Sequence, residues 1–250
     1  MEEETLDEIL NGQIKVFQNK KGYRFSIDSL LLAHFIALKP RAKILELGCG
    51  SGVILLILAK RFPRLKFTGL EIQDHLVLLA QRNVQLNRLE NNVNIIGGDA
   101  KEIRKIFPSN TFDAVYFNPP YRKLNSGKMN PHLEKAIARH EIKGSLEVFL
   151  MAAQYLLKET GSVFAIYPAK RLVELVYLFR RSRMEPKRMK MVFSDTASDA
   201  TFTLVEGKKG SGEELKLEPP LFIYEENKCY SKETLKIFHE LSVAPSDGGG

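Results

Sequence analysis

The 250-residue chain carries a formal net charge of +7, with apolar and charged fractions that are ordinary for a globular protein. It is long enough for one sizeable core and a small addition, which excludes two full domains. The positive balance suggests a polyanionic partner such as nucleic acid, and the two widely separated cysteines, Cys49 and Cys229, exclude a disulfide framework.

Met1-Glu2-Glu3-Glu4 is acidic with no apolar segment behind it, so no secretory signal is expected and the expected setting is the reduced cytoplasm. Residues 1–12 read as a short helical lead-in ending at Gly12. Ile14 and Val16 then alternate with polar residues, and Lys20-Lys21-Gly22 supplies a turn, so residues 13–25 form a hairpin or an extended arm. Asp28 or Ser29 caps a helix running to about Leu38, with Pro40 as its stop signal. Residues 42–47 are the first buried strand, and 53–62 form a helix that is apolar on nearly every face. From here strand and helix alternate: strand 65–70, helix 74–86 with Leu76, Leu79, Ala80 and Val84 inward, strand 93–96, short helix 100–106, strand 112–117. The apolar runs at 30–38 and 53–59 are too short to cross a bilayer, so no membrane partner is expected.

Residues 122–143 break the pattern as a long, polar, basic loop. An amphipathic helix over 145–158 follows, then strand 161–167 and helix 172–179. Strands 187–193 and 201–206 leave no room for a crossover helix between them and are expected to pair antiparallel. Residues 215–225 are strand-like around Pro219-Pro220, residues 231–241 form a short helix, and 242–250 are expected to be disordered. The alternation implies a single α/β domain, a doubly wound and mostly parallel sheet with a terminal antiparallel strand pair. The expected division is an N-terminal arm and helix over 1–39, the main domain over 40–207, a C-terminal extension packed on it over 208–241, and the tail.

The first strand runs into Glu46-Leu47-Gly48-Cys49-Gly50-Ser51-Gly52, and a helix begins at once. Alternate glycines let the backbone turn tightly and let a ligand lie against bare main chain. A dinucleotide-binding turn needs a glycine where Val53 stands, and no Lys-Ser or Lys-Thr follows for a phosphate-cradling loop. The acid beside the loop repels a pyrophosphate and suits a ligand bearing an ammonium and a sulfonium. Glu71 ends the second strand about 20 residues on, where a carboxylate accepts from ribose hydroxyls. Asp99 ends the third strand, placed to accept from an adenine amine. A helix N-cap is the competing role for either acid.

The strand at 112–117 ends in Asn118-Pro119-Pro120-Tyr121. Two prolines cannot continue a ladder, so the Asn118 side chain and the Pro119 carbonyl face the space beyond the sheet edge, where ligands bind in open α/β sheets. A plain strand-terminating turn is the alternative.

Together, Glu46 to Gly52, Glu71, Asp99 and Asn118 to Tyr121 resemble the ordered motifs of class I S-adenosylmethionine-dependent methyltransferases that act on an amino group. The resemblance covers about residues 40–207. It implies S-adenosyl-L-methionine as the cofactor, bound by Glu46, Gly48, Gly50, Gly52, Glu71, Ile72, Asp99, Ala100 and Asn118, with Asn118, Pro119, Pro120 and Tyr121 catalytic. Gly22-Tyr23-Arg24-Phe25-Ser26-Ile27-Asp28-Ser29, Arg139-His140-Glu141 and the stretch from Tyr224 to Tyr230 are similar to the bacterial tRNA adenine-N6 methyltransferases that modify the anticodon loop of a valine tRNA. That likeness implies tRNA as partner and a flipped-out adenine as target.

Arg122, Lys123, Arg139 and His140 are the candidate substrate contacts, in a loop that either orders on RNA or stays solvated. Arg180, Arg181, Arg183, Lys187, Arg188 and Lys190 form a second basic cluster, which either tracks phosphates or serves a helix C-terminus. The five histidines show no ligand spacing, so no metal is expected. Competing assignments are a protein-glutamine N5 or an rRNA guanine-N2 methyltransferase, or a non-catalytic RNA-binding protein on the same fold. The oligomeric state is left open.

Overall fold

Ile44, Leu45 and Leu47 are fully buried, as a strand covered on both faces requires. The computed structural model describes residues 4–19, 26–119 and 146–243. In chain order its elements are β1 (Glu4–Ile9), β2 (Ile14–Asn19), α1 (Ile27–Phe35), β3 (Lys43–Leu47), α2 (Val53–Arg61), β4 (Lys66–Glu71), α3 (Asp74–Leu86) and β5 (Val93–Gly97). A 3-10 turn at Ala100–Glu102 leads into α4 (Ile103–Ile106), followed by β6 (Phe112–Phe117), α5 (Leu146–Leu156), β7 (Leu157–Pro168), α6 (Leu172–Arg181), β8 (Met184–Phe193), β9 (Ala200–Lys209), β10 (Lys216–Leu217), β11 (Leu221–Phe222) and α7 (Lys232–Ser242).

Among the described residues the main sheet runs β10-β8-β9-β7-β6-β3-β4-β5, with β11 also on β8. β5, β4, β3, β6 and β7 are mutually parallel, and β9 lies antiparallel between β7 and β8. Successive side chains of a strand face opposite ways. Ala114 and Tyr116 therefore join Ile44 and Phe67 under α1, α2 and α7, while Val115 and Phe117 join Leu45 and Leu47 under α5 and α6. This is the doubly wound, mostly parallel sheet that the alternation predicts.

The chain adds β4 and β5 on one side of β3 and then returns to lay β6 on the other. That reversal is a topological switch point, and the carboxyl ends of β3 and β6 flank it. Glu46 stands level with Tyr116 on β6 and with Gly69 on β4.

Several expectations need correction. Residues 4–9 are a strand, not a helical lead-in: they pair antiparallel with β2 across a turn at Leu10, Asn11 and Gly12, all with positive φ. Docking of Ile14 and Val16 in the core outweighs the helical preference of the Glu-rich start. The expected turn at 20–22 lies outside the described residues. Helix α1 ends at Phe35 rather than near Leu38, because Ile36 turns extended while its N–H still reaches the Leu32 carbonyl. Ser26, not Asp28 or Ser29, takes the N-cap position. β7 begins at Leu157, four residues early. The segment around Pro219-Pro220 yields two two-residue strands parallel to β8, since neither proline has an N–H for the ladder between them.

No helix among the described residues is long and apolar enough to cross a membrane.

Candidate active site

The glycine-rich turn joins β3 to α2, and Gly48, Gly50 and Gly52 all have positive φ, at 70°, 55° and 84°. A side chain disfavours this conformation at each point, which is why the turn needs glycine. Its first two N–H groups, of Gly48 and Cys49, donate to the Leu70 carbonyl at 2.8 and 3.1 Å. The turn is thus pinned to β4, and its third N–H reaches further, from Gly50 to Glu71 Oε2 at 2.9 Å.

Glu71 is a nearly buried carboxylate at the carboxyl end of β4. Its Oε1 accepts from the backbone N–H groups of Ile72 and Gln73, both at 3.0 Å. Among the described residues Oε2 takes one donor, Gly50, and an ionised carboxylate oxygen accommodates two. The side chain is therefore held in place with an acceptor position to spare.

Glu46 is placed differently. It is 2% exposed and lies under the turn, where Oε2 accepts from the Tyr116 hydroxyl at 3.1 Å. Burial holds its carboxyl well above the usual carboxylate range. The Tyr116 bond pulls the other way, the nearby Glu71 charge pushes further up, and the Leu55 N–H in the first turn of α2 pulls down. Burial likewise raises the Tyr116 hydroxyl and the Cys49 thiol, with Glu46 adding to both. Cys49 is thereby a buried packing group rather than a nucleophile.

Asp99 follows β5, two strands from β3, and its Oδ1 accepts from the Lys101 N–H at 2.9 Å, capping the 3-10 turn that begins at buried Ala100. The helix-cap role is thus real here, alongside any ligand role.

At the end of β6, Asn118 is half-buried and Pro119 buried. The Asn118 Nδ2 donates to Asp28 Oδ2 at 3.0 Å, across 90 residues of sequence. Sequence reasoning assigned Asp28 to helix capping and missed this partner. Asn83 was missed too: fully buried on α3, it accepts from Phe17 N–H at 2.7 Å and donates to the carbonyls of Phe17 and Ser51, both at 3.0 Å. An amide tying β2 to the glycine-rich turn was detectable only as a polar residue inside the apolar stripe of α3.

The structure therefore gathers Gly48, Gly50, Gly52, Glu71 and Ile72 into one bonded group, with Glu46 beneath it. Asn118 and Pro119 follow the end of the adjacent β6 across the switch point. Pro120, Tyr121, Arg122, Lys123, Arg139 and His140 lie outside the described residues. The second basic cluster is largely engaged internally. Arg180 pairs with Glu213 and Glu185, Arg181 with Glu147, and Lys187 donates to the carbonyls of Gly212 and Glu213. Arg188 binds Glu206, Glu218 and the Phe35 carbonyl, and Lys190 binds Glu218 and Glu233. Among the described residues no group of three or more His, Cys, Asp and Glu is placed to hold a metal.

Among the described residues nothing lies within 4 Å of the point where a Cβ would stand at Gly50, so the turn leaves open space there. Residues 15–170 match the family model described as methyltransferase small domain. A Porphyromonas gingivalis protein named tRNA1(Val) (adenine(37)-N6)-methyltransferase is 30% identical over 198 residues, 70% of this chain and 77% of its own length. One of the same name from Tolumonas auensis is 25% identical over 243 residues, 94% of this chain and 96% of its own. A solved structure described as a predicted O-methyltransferase, protein Atu636 from Agrobacterium tumefaciens, aligns with a TM-score of 0.70 at 20% identity, over 87% of this chain and 97% of that one, a likeness of fold.

Proposed function

The chain belongs to the methyltransferase small domain family, and on that footing we propose that it transfers a methyl group from S-adenosylmethionine to the N6 amine of an adenine in tRNA. The observation that carries this reading is Asn118-Pro119 at the end of β6, next to the glycine-rich turn across the switch point. The names of the relatives support the choice of tRNA and of adenine N6.

S-adenosylmethionine supplies an electrophilic methyl group when bound. The chain does the rest. The turn Gly48–Gly52 offers bare backbone to the amino-acid end of the cofactor, with Glu46 supporting it from below. Glu71 accepts from the ribose hydroxyls through its spare position, beside Ile72, and Asp99 with Ala100 borders the adenine. The adenine amine of the tRNA is a poor nucleophile because its lone pair is delocalised into the ring. The Asn118 Oδ1 and the Pro119 carbonyl each accept one N–H, which draws the nitrogen towards tetrahedral geometry and localises that lone pair. Both acceptors are fixed before positive charge develops on the nitrogen, the logic of an oxyanion hole with the signs reversed. Tyr121 stacks on the flipped base next to Pro120, and Arg122, Lys123, Arg139 and His140 contact the RNA around it.

Labelled S-adenosylmethionine offered together with unmodified total tRNA, total rRNA and a protein extract tests the substrate class. Label is expected in the tRNA. Label confined to rRNA or to protein would sink the proposal.

A further inference from the structure

We propose that Asp28 is a positioning residue for this methyl transfer: it decides which end of the Asn118 amide faces the amine. The inference rests on the reading above. An amide side chain presents an acceptor and a donor of nearly the same shape, so either end can occupy the reacting position. With Nδ2 forward, a donor faces the donors of the amine and no lone pair is localised. With Oδ1 forward, the amine has its acceptor. A carboxylate can only accept. Asp28 Oδ2 therefore captures the Nδ2 end at 3.0 Å and leaves Oδ1 at the other end of the amide.

Asp28 is itself held firmly enough to impose this choice. It is 3% exposed. Its Oδ1 accepts from the Ser26 hydroxyl at 2.5 Å and from the Ser29 N–H at 2.8 Å. The donors are the N-cap residue of α1 and a first-turn N–H, so Asp28 is tied to the start of the helix. The helix is anchored in turn by buried Leu31, Leu32 and Phe35. A carboxylate behind the amide also polarises it, strengthening Oδ1 as an acceptor while positive charge grows on the amine.

Four proteins test this: wild type, Asp28→Asn, Asn118→Ala and the double variant. Methyl transfer to unmodified tRNA is followed for kcat and for the KM of S-adenosylmethionine, beside melting curves and the side-chain amide NMR signals of Asn118. Asp28→Asn is expected to lower kcat by about 10- to 100-fold, to leave that KM within about threefold, and to shift the Asn118 amide signals. In the Asn118→Ala background it should cost nothing further, as for residues acting as one unit. Losses that multiply in the double variant, or a raised KM at unchanged kcat, overturn the proposal. If Asp28→Asn melts too early to assay, Ser26→Ala removes only one donor to Asp28. It should lower kcat about threefold, again without effect in the Asn118→Ala background, and an unchanged kcat counts against the proposal. Wild-type inactivity on tRNA overturns the substrate reading instead. The Asn118 amide then decides: a shift in Asp28→Asn supports the positioning role, and no shift refutes it.

Discussion

Glu46 and Glu71 end neighbouring strands at one sheet edge, yet their surroundings give them different work. Glu71 is met by the backbone N–H groups of Gly50, Ile72 and Gln73, which fix it in place. Glu46 is sealed below the turn, and burial favours its neutral form. Both acids were legible from their spacing to the glycines. Their difference was not, because it depends on the burial of Glu46 beneath the turn, beside Tyr116, 70 residues further along the chain. Asp28 is hidden for the same reason: an acid near a helix start reads as a cap until its partner just past β6 is known. The raised folded-state value of Glu46 carries a stability consequence. Below the unfolded value near 4.5 both states hold the proton and the stabilising contribution is fully present. As pH rises past it the unfolded chain releases the proton first, and stability is lost progressively through the folded-state value. Glu46→Gln removes this titration. Urea unfolding from about pH 5 to 8 should show the variant gaining on wild type with rising pH, by at most about 1.4 kcal/mol per unit. A difference that is flat with pH contradicts this account.

At the scale of elements, the core strands and helices were legible because each carries a strong apolar pattern of the right period. β6 and α3 match their expected bounds at both ends. The N-terminal hairpin was only half legible. β2 announces itself through Ile14 and Val16, but β1 alternates half-buried and exposed residues without a strong apolar face, so its strand state follows from pairing rather than from its own sequence. What docks the hairpin is a pair of amides one helical turn apart. Asn83 and Asn87 take the N–H and carbonyl groups of Phe17 and Lys15, imitating a neighbouring strand. Asn83 extends the same hold to Ser51 in the glycine-rich turn. Asn83→Ala leaves these half-buried backbone groups without their partner and should cost about 1–2 kcal/mol in urea unfolding. Hydrogen exchange should quicken at Phe17. A loss under about 0.5 kcal/mol would mean that the clasp is replaceable by water.

At the scale of the whole molecule, the parallel order with its reversal beside β3 brings the glycine-rich turn and Asn118 to one edge, although 65 residues separate Gly52 from Phe117 in sequence. The C-terminal segment serves the core rather than a second domain: Leu221, Ile223, Ile237 and Leu241 are all buried in it. Its acids also take up much of the second basic cluster, through Glu213, Glu218 and Glu233, so a run of cations in the sequence overstates the charge presented to a phosphate backbone. That sharing was invisible in the sequence because the acids lie 28 to 43 residues beyond their partners. In the proposed reaction Asn118 is the point where cofactor and substrate meet. Nucleoside mass spectrometry of unmodified tRNA after incubation with S-adenosylmethionine and either wild type or Asn118→Ala measures this directly. The account predicts N6-methyladenosine with wild type and a rate lower by about 10²- to 10³-fold with the variant. Another methylated nucleoside as the product, or the same rate from both proteins, would contradict it.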